Sequence, residues 1–133
     1  MNRGSKKNKE SLTDQQYQVT QNKGTEPPFS GKYLDNNKNG TYLCICCGSE
    51  LFSSEHKYDS GTGWPSFWLA PKVGNIETQR DKNYVLSDGS SDALEVICSQ
   101  CKSHLGHVFE DGPKPSGLRY CINSVALDFE EIK

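Results

Sequence analysis

Six cysteines and three histidines are the chemically versatile side chains of this 133-residue chain, and their spacing sorts them into groups. Cys44-Ile45-Cys46-Cys47-Gly48 and Cys98-Ser99-Gln100-Cys101 each contain a C-x-x-C pair. Two residues between thiolates let one tight turn aim both sulfurs at one ion. Two such turns make a closed tetrahedral four-sulfur site, the arrangement of structural zinc. Cys46 opens a second register, because Cys44 and Cys46 form a C-x-C pair. That spacing is the less common one, so Cys44, Cys47, Cys98 and Cys101 are the expected ligands of one zinc per chain. Disulfides and unpaired buried thiols are the alternatives. The gap between the pairs is far longer than in a zinc ribbon, so the fold must bring two knuckles together from distant parts of the chain. A closed site leaves no position for a substrate. The metal would staple the fold, and the chemistry must lie elsewhere.

Cys121 is left over, in Arg119-Tyr120-Cys121-Ile122-Asn123-Ser124-Val125-Ala126-Leu127. In a strand, Arg119, Cys121 and Asn123 share one face, continued by Val125, Leu127 and Phe129. Tyr120, Ile122 and Ser124 share the other. A face that begins Arg-Cys-Asn suits a reactive site: the guanidinium favours the thiolate, the nucleophilic form, and the amide can hold a polar substrate atom. The competing reading is a buried structural cysteine beside a surface arginine. His104 and His107 lie in His104-Leu105-Gly106-His107-Val108-Phe109. Strict alternation sets the two imidazoles on opposite faces; a bulge at Gly106 would bring them together. Side by side near a thiolate, they would supply protons at neutral pH. Structural packing or zinc ligation are the alternatives, the second weakened by four thiolates that already fill a zinc. Trp64, within Ser60-Gly61-Thr62-Gly63-Trp64-Pro65-Ser66-Phe67, belongs either to a core-packing loop or to the apolar wall of a pocket.

The elements that must carry these residues are mostly strands. Residues 41–45, 84–86, 94–98, 105–109 and 119–129 are short β-branched or aromatic runs, with turn clusters at 59–63, 87–91 and 111–117. Thr13-Asp14-Gln15-Gln16 has the form of a capping box opening a short helix to about Thr20. Residues 22–31 and 36–40 read as loop and turn. The expected fold is mainly β, antiparallel, with a short N-terminal helix.

Composition excludes several classes. The length fits one domain, read as residues 13–133 behind a basic, disordered tail over 1–12. With 33% apolar residues and a mean hydropathy of −0.75, burial alone is thin support, which favours a metal staple. No run approaches ~20 apolar residues, so no membrane span is expected. Arg3, Lys6, Lys7 and Lys9 are not followed by an apolar run, a pattern against a secretory signal. A cytoplasmic location is the expectation, with an organelle left open if a targeting segment is removed. Outside that tail the chain is more acidic than its formal charge of −2, which argues against nucleic acid as a partner.

Taken together, these residues resemble the B-type methionine sulfoxide reductase family. The matching stretches are Gly24-Thr25-Glu26-Pro27-Pro28-Phe29, the two knuckles, residues 60–67, His104 to Phe109, Asp111-Gly112-Pro113, and Gly117 to Leu127. The resemblance implies two antiparallel sheets with a distal structural zinc, and reduction of methionine-R-sulfoxide in proteins. It implies Cys121 as the nucleophile and His104, His107 and Asn123 as groups holding and polarising the sulfoxide oxygen. Trp64 would receive the substrate methyl, Phe109 would assist, and Arg119 would sit beside the nucleophile. Many members carry a resolving cysteine where this chain has Thr62, so the resemblance is to the branch without it. Cys121 sulfenic acid would then be recycled by an external thiol: thioredoxin, glutaredoxin or glutathione. Oxidised proteins are the expected substrates and a monomer the expected state. A non-enzymatic zinc module would explain the knuckles and the fold, but not Arg119, Cys121, Asn123 and the paired histidines.

Overall fold

The computed structural model describes residues 12–80 and 94–132. The basic tail, the expected strand at 84–86 and the expected turn at 87–91 lie outside the described residues.

One helix opens the fold: α1, Asp14–Asn22. Its capping box forms as the sequence indicates. The Gln16 amide N–H donates to Thr13 Oγ1 at 3.1 Å, and the Thr13 N–H donates to Gln16 Oε1 at 2.8 Å. The helix runs two residues past Thr20, then stops where Lys23 turns left-handed and the Gly24 N–H bonds back to the Gln18 carbonyl.

Among the described residues the strands are all antiparallel, joined by loops and short 3-10 turns. The strands are β1 (Gly40–Cys44), β2 (Glu50–Ser53), β3 (Lys57–Tyr58), β4 (Ser66–Phe67), β5 (Ile76–Arg80), β6 (Leu94–Cys98), β7 (His104–Phe109), β8 (Arg119–Ile122) and β9 (Leu127–Glu131). They form a three-stranded sheet in the order β2-β1-β9 and a six-stranded sheet in the order β3-β4-β8-β7-β6-β5. Aromatic rings fill the space between the sheets. Phe52 stacks on Phe67 with centroids 4.6 Å apart, Tyr42 meets Phe129 at 4.8 Å, and Tyr120 reaches Phe52 at 5.5 Å. Leu105, Ile122, Val96 and Leu127 join the same buried cluster. Fully burying a side chain of this size stabilises by roughly 1.5–3 kcal/mol.

The run expected as one strand over 119–129 is two. After Ile122 the chain makes a 3-10 turn at Ser124–Ala126, then enters the other sheet as β9. Asn123 ends the ladder: its N–H donates to the Leu105 carbonyl at 3.0 Å and its own carbonyl accepts from Ala126. The face of Arg119 and Cys121 therefore does not continue through Val125, Leu127 and Phe129. Tyr120 and Ile122 turn to the core, and Arg119 and Cys121 to the opposite side.

Strands β2 to β5 carry little sequence signal. β3 and β4 have two residues each, and four of the five residues of β5 are exposed, Glu77 to Arg80. Such strands are defined by their ladder partners and not by hydrophobic alternation.

Candidate active site and metal centre

Register assembles the site. Reading across the six-stranded sheet, Tyr58 pairs with Ser66, Ser66 with Cys121, Cys121 with His107, His107 with Glu95, and Glu95 with Gln79. Directly paired residues project from the same face, so one row of polar side chains crosses the sheet with Cys121 and His107 at its centre. A β-bulge adds His104 to that face. On β6, Glu95 and Ile97 are two apart; their partners on β7, His107 and His104, are three apart. The extra residue offsets the alternation, as expected for a bulge beside Gly106, and the two imidazoles meet edge to face with centroids 5.5 Å apart. Gly106 is needed for another reason: a Cβ there would lie 2.0 Å from the Cys121 carbonyl oxygen.

A pocket of ≈ 840 Å³ opens over this row. Trp64, His107, Phe109, Arg119, Cys121 and Asn123 all line it. His104 is not among its lining residues and is buried at 2% exposure behind His107. A smaller hollow of ≈ 450 Å³, lined by Leu34, Lys57 and Tyr58 among others, contains neither cysteine nor histidine.

Arg119 lies over the Phe109 ring at 4.4 Å and makes a forked ion pair with Asp111, at 2.9 and 3.1 Å. That guanidinium holds the Asp111 carboxyl below its usual range. Its charge is thus shared, which matters for the thiol. Burial pushes Cys121 above the ordinary thiol range; Arg119 and a hydrogen bond with Thr62 pull it down by less, and Glu26 and Asp111 push it up again. Arg119 does favour the thiolate, as its position in the sequence indicates, but desolvation outweighs an arginine already paired to a carboxylate. The Thr62 hydroxyl continues to Ser60 at 2.8 Å, and Ser60 to Ser66 at 2.7 Å.

Asn123 and Trp64 are held by one buried segment. The Glu26 N–H donates to Asn123 Oδ1 at 3.0 Å, and Trp64 Nε1 donates to the Glu26 carbonyl at 2.9 Å. Asn123 Nδ2 also donates to the Leu105 carbonyl at 2.9 Å, which commits one of its two amide hydrogens. Glu26 Oε1 accepts from the Val125 N–H, and burial pushes this carboxyl up. Composition and periodicity do not single out Glu26, Thr62 or Asp111 for these contacts, since each partner is distant in the chain or across a turn. Glu95 leaves a faint signal: an acid inside Leu94-Glu95-Val96-Ile97-Cys98, a run otherwise apolar.

The second centre lies at the far ends of β1 and β6. Sulfur atoms of Cys44, Cys47, Cys98 and Cys101 all lie within 4.8 Å of one another, with Cys44 and Cys101 3.6 Å apart and Cys47 and Cys98 3.5 Å apart. None is in a disulfide. Tetrahedral thiolates about 2.3 Å from one ion stand about 3.8 Å from each other, so the four fit a metal. Cys46 is not one of the four, and Gln21 of α1 donates to its sulfur at 3.6 Å.

The two knuckles are near copies. In each, the first cysteine's N–H bonds to a serine carbonyl five residues on (Cys44 to Ser49, Cys98 to Ser103), and its carbonyl accepts from the residue four on. That fourth residue is left-handed in both, Gly48 at φ 81° and Lys102 at φ 67°. Each serine hydroxyl then contacts the second cysteine's sulfur, at 3.2 and 3.1 Å.

The chain matches the SelR domain model over residues 12–131. It is 50% identical over 121 residues to the peptide methionine sulfoxide reductase MsrB of Hahella chejuensis, covering 91% of this chain and 84% of that protein. Against the protein of the same name from Thioalkalivibrio sulfidiphilus, identity is 52% over 122 residues, or 92% of this chain and 85% of the relative. The human mitochondrial methionine-R-sulfoxide reductase B2 is 55% identical over 124 residues, with 92% of this chain and 68% of the human protein covered.

Proposed function

Since the chain belongs to the SelR-domain family of peptide methionine sulfoxide reductases, we propose that it reduces methionine-R-sulfoxide in oxidised proteins with Cys121 as the attacking thiol. The thiol-dependent reduction is that of the family. The assignment of Cys121 is carried by one observation: its register pairing with His107 sets a thiol beside an imidazole at a pocket walled by Trp64 and Phe109.

With burial pushing the Cys121 thiol above its ordinary range, its proton must leave as its sulfur attacks. His107 stands across the strand pair, placed to accept that proton and return it to the sulfoxide oxygen. The Cys121 sulfur bonds to the sulfoxide sulfur as the sulfoxide oxygen is protonated; the substrate S–O bond then breaks as the hydroxyl passes to the Cys121 sulfur and the new S–S bond opens. That oxygen ends on Cys121 as sulfenic acid, and the thioether departs. Two electrons pass from Cys121 to the substrate sulfur, and no proton is consumed overall. Two external thiols then restore Cys121, releasing water and a disulfide; thioredoxin, glutaredoxin or glutathione fits that role, because Thr62 carries no thiol to resolve internally. R selectivity follows if the methyl lies on Trp64, the oxygen toward His107 and Asn123, and the sulfur over Cys121.

We further assign zinc to the four-cysteine cluster, on the donor set and sulfur separations. It would tie β1 to β6 and carry no step of the reaction. The match over residues 12–131 supports reading 13–133 as a single catalytic domain.

The test offers mixed R and S sulfoxides of a peptide to the wild type and to Cys121→Ser, with dithiothreitol as reductant. The wild type should consume the R epimer alone, and the variant neither, with unchanged circular dichroism and metal content. Turnover by Cys121→Ser would remove Cys121 from the mechanism.

A further inference from the structure

Glu95 is a charged residue with almost no exposure, at 1%. No step above uses it. Its carboxylate is fully engaged: Gln79 Nε2 donates to Oε1 at 2.9 Å, Lys23 Nζ stands 3.2 Å from Oε1, and His104 Nδ1 meets Oε2 at 2.7 Å. Burial alone would push this carboxyl up, but those three hydrogen bonds hold it below the usual range, so it is ionised at neutral pH. An ionised carboxylate this deeply buried is expensive unless it is paired and hydrogen-bonded. Three separate elements converge to satisfy it: the end of α1, edge strand β5 and strand β7.

That convergence aims at the active site. An ionised carboxylate only accepts hydrogen bonds, so Nδ1 of His104 carries a hydrogen. Orientation and tautomer of the ring are fixed together, and Nε2 becomes the nitrogen whose proton can come and go. The His104 ring abuts the His107 ring, which faces the pocket and pairs with Cys121. Glu95 is itself the β6 neighbour of His107.

We propose that Glu95 is a positioning residue for the proton traffic of sulfoxide reduction. Its buried negative charge fixes His104, and through it the His104–His107 pair receives the Cys121 proton and passes it to the sulfoxide oxygen; Lys23 moderates that charge from the surface. The proposal rests on the assignment of Cys121 and His107 made above. Among the described residues, Glu95 on β6 and Lys23 at the end of α1 are charged groups whose contacts reach the pair; beyond His107 lies the neutral Cys121 thiol on β8 with Arg119 acting on it, and Gln79 is the neutral partner on β5. A carboxylate bonded to the His104 imidazole favours its protonated form, and an ammonium beyond that carboxylate opposes it. Removing each charge must therefore act in opposite directions.

The experiment measures kcat and KM for R-sulfoxide peptide from pH 5 to pH 10 for the wild type, Glu95→Gln and Lys23→Met. Metal content and melting temperature are recorded for each. Glu95→Gln keeps size and hydrogen-bonding capacity but not charge. It should lower kcat by tenfold or more with KM nearly unchanged, and move the acid limb of the profile to lower pH. Lys23→Met, at a half-exposed side chain outside the pocket, should move that limb to higher pH. A purely structural role would move neither limb, or both the same way. Wild-type kcat and profile in a folded Glu95→Gln protein would overturn the proposal. If Glu95→Gln does not fold, Lys23→Met decides: an unmoved or oppositely moved limb overturns the proposal. Failure of the underlying reading is distinct, since the wild type itself would then leave the sulfoxide unreduced.

Discussion

Cys121 illustrates how a site's chemistry depends on desolvation as much as on neighbours. An arginine two residues away in sequence looks like an activator, yet its guanidinium is already shared with Asp111, and burial of the thiol prevails. The sign follows. A thiol pushed above its ordinary range is less ionised than a free cysteine near neutrality, so Cys121 in the folded protein is expected to react slowly with alkylating agents there. Iodoacetamide labelling of the Cys121 peptide, followed by mass spectrometry against pH, should rise later than in the urea-unfolded chain. Arg119→Met should delay it further, because the arginine is the largest influence pulling the thiol down; an unchanged profile would contradict that. Thr62 gives a second prediction at this scale. Its hydroxyl lies within hydrogen-bond reach of Cys121. Thr62→Cys should therefore form an internal disulfide with Cys121 after one equivalent of substrate, seen as loss of two free thiols. In the wild type, sulfenic acid at Cys121 should persist until external thiol is added, and trapping with dimedone reads it directly.

At the level of elements, strand spacing and backbone handedness set the tolerances. Strands β7 and β8 approach so closely at Gly106 that no side chain fits, since the obstacle is the Cys121 backbone. Gly106→Ala should cost about 1–3 kcal/mol of stability, in line with overpacking of a close-packed region. It should also lower activity more than a comparable loss elsewhere, because it pushes His107 away from Cys121. Urea denaturation alongside steady-state kinetics separates the two effects. Equal stability to the wild type would mean that the strands can part without cost. Edge and connector strands were the hardest elements to read from sequence for the same reason: β3, β4 and β5 owe their conformation to partners across the sheet and not to their own pattern.

Across the whole molecule, two centres divide the work. The four-cysteine cluster joins knuckles separated by more than fifty residues in sequence, at the ends of strands from different sheets, and the candidate active row crosses one of those sheets. Binding at such a site is coupled to folding. Stripping the metal with a strong chelator should lower the melting temperature of the entire domain in one transition, and readdition of zinc should restore it. Cys46→Ser should leave the metal content unchanged, whereas Cys98→Ser should lose it; a metal-free protein with an unaltered melt would refute the staple.

The sequence by itself picked out the four cysteines that cluster, Cys44, Cys47, Cys98 and Cys101, because C-x-x-C spacing is a local property of one turn. It determined the helix start, because a capping box closes within four residues. The candidate residues Trp64, His107, Phe109, Arg119, Cys121 and Asn123 were likewise legible, through their types and through resemblance, and they do line one pocket. Tertiary structure alone decided the rest. Asn123 ends a strand that alternation would have carried to Phe129, because a 3-10 turn passes the chain from one sheet to the other. The protonation of Cys121 is set by how much water its pocket excludes, which no neighbouring letter reports. Glu95 reaches His104 across a strand pair and Lys23 across the sheet's face. Those contacts depend on register, and register is fixed by the packing of both sheets together.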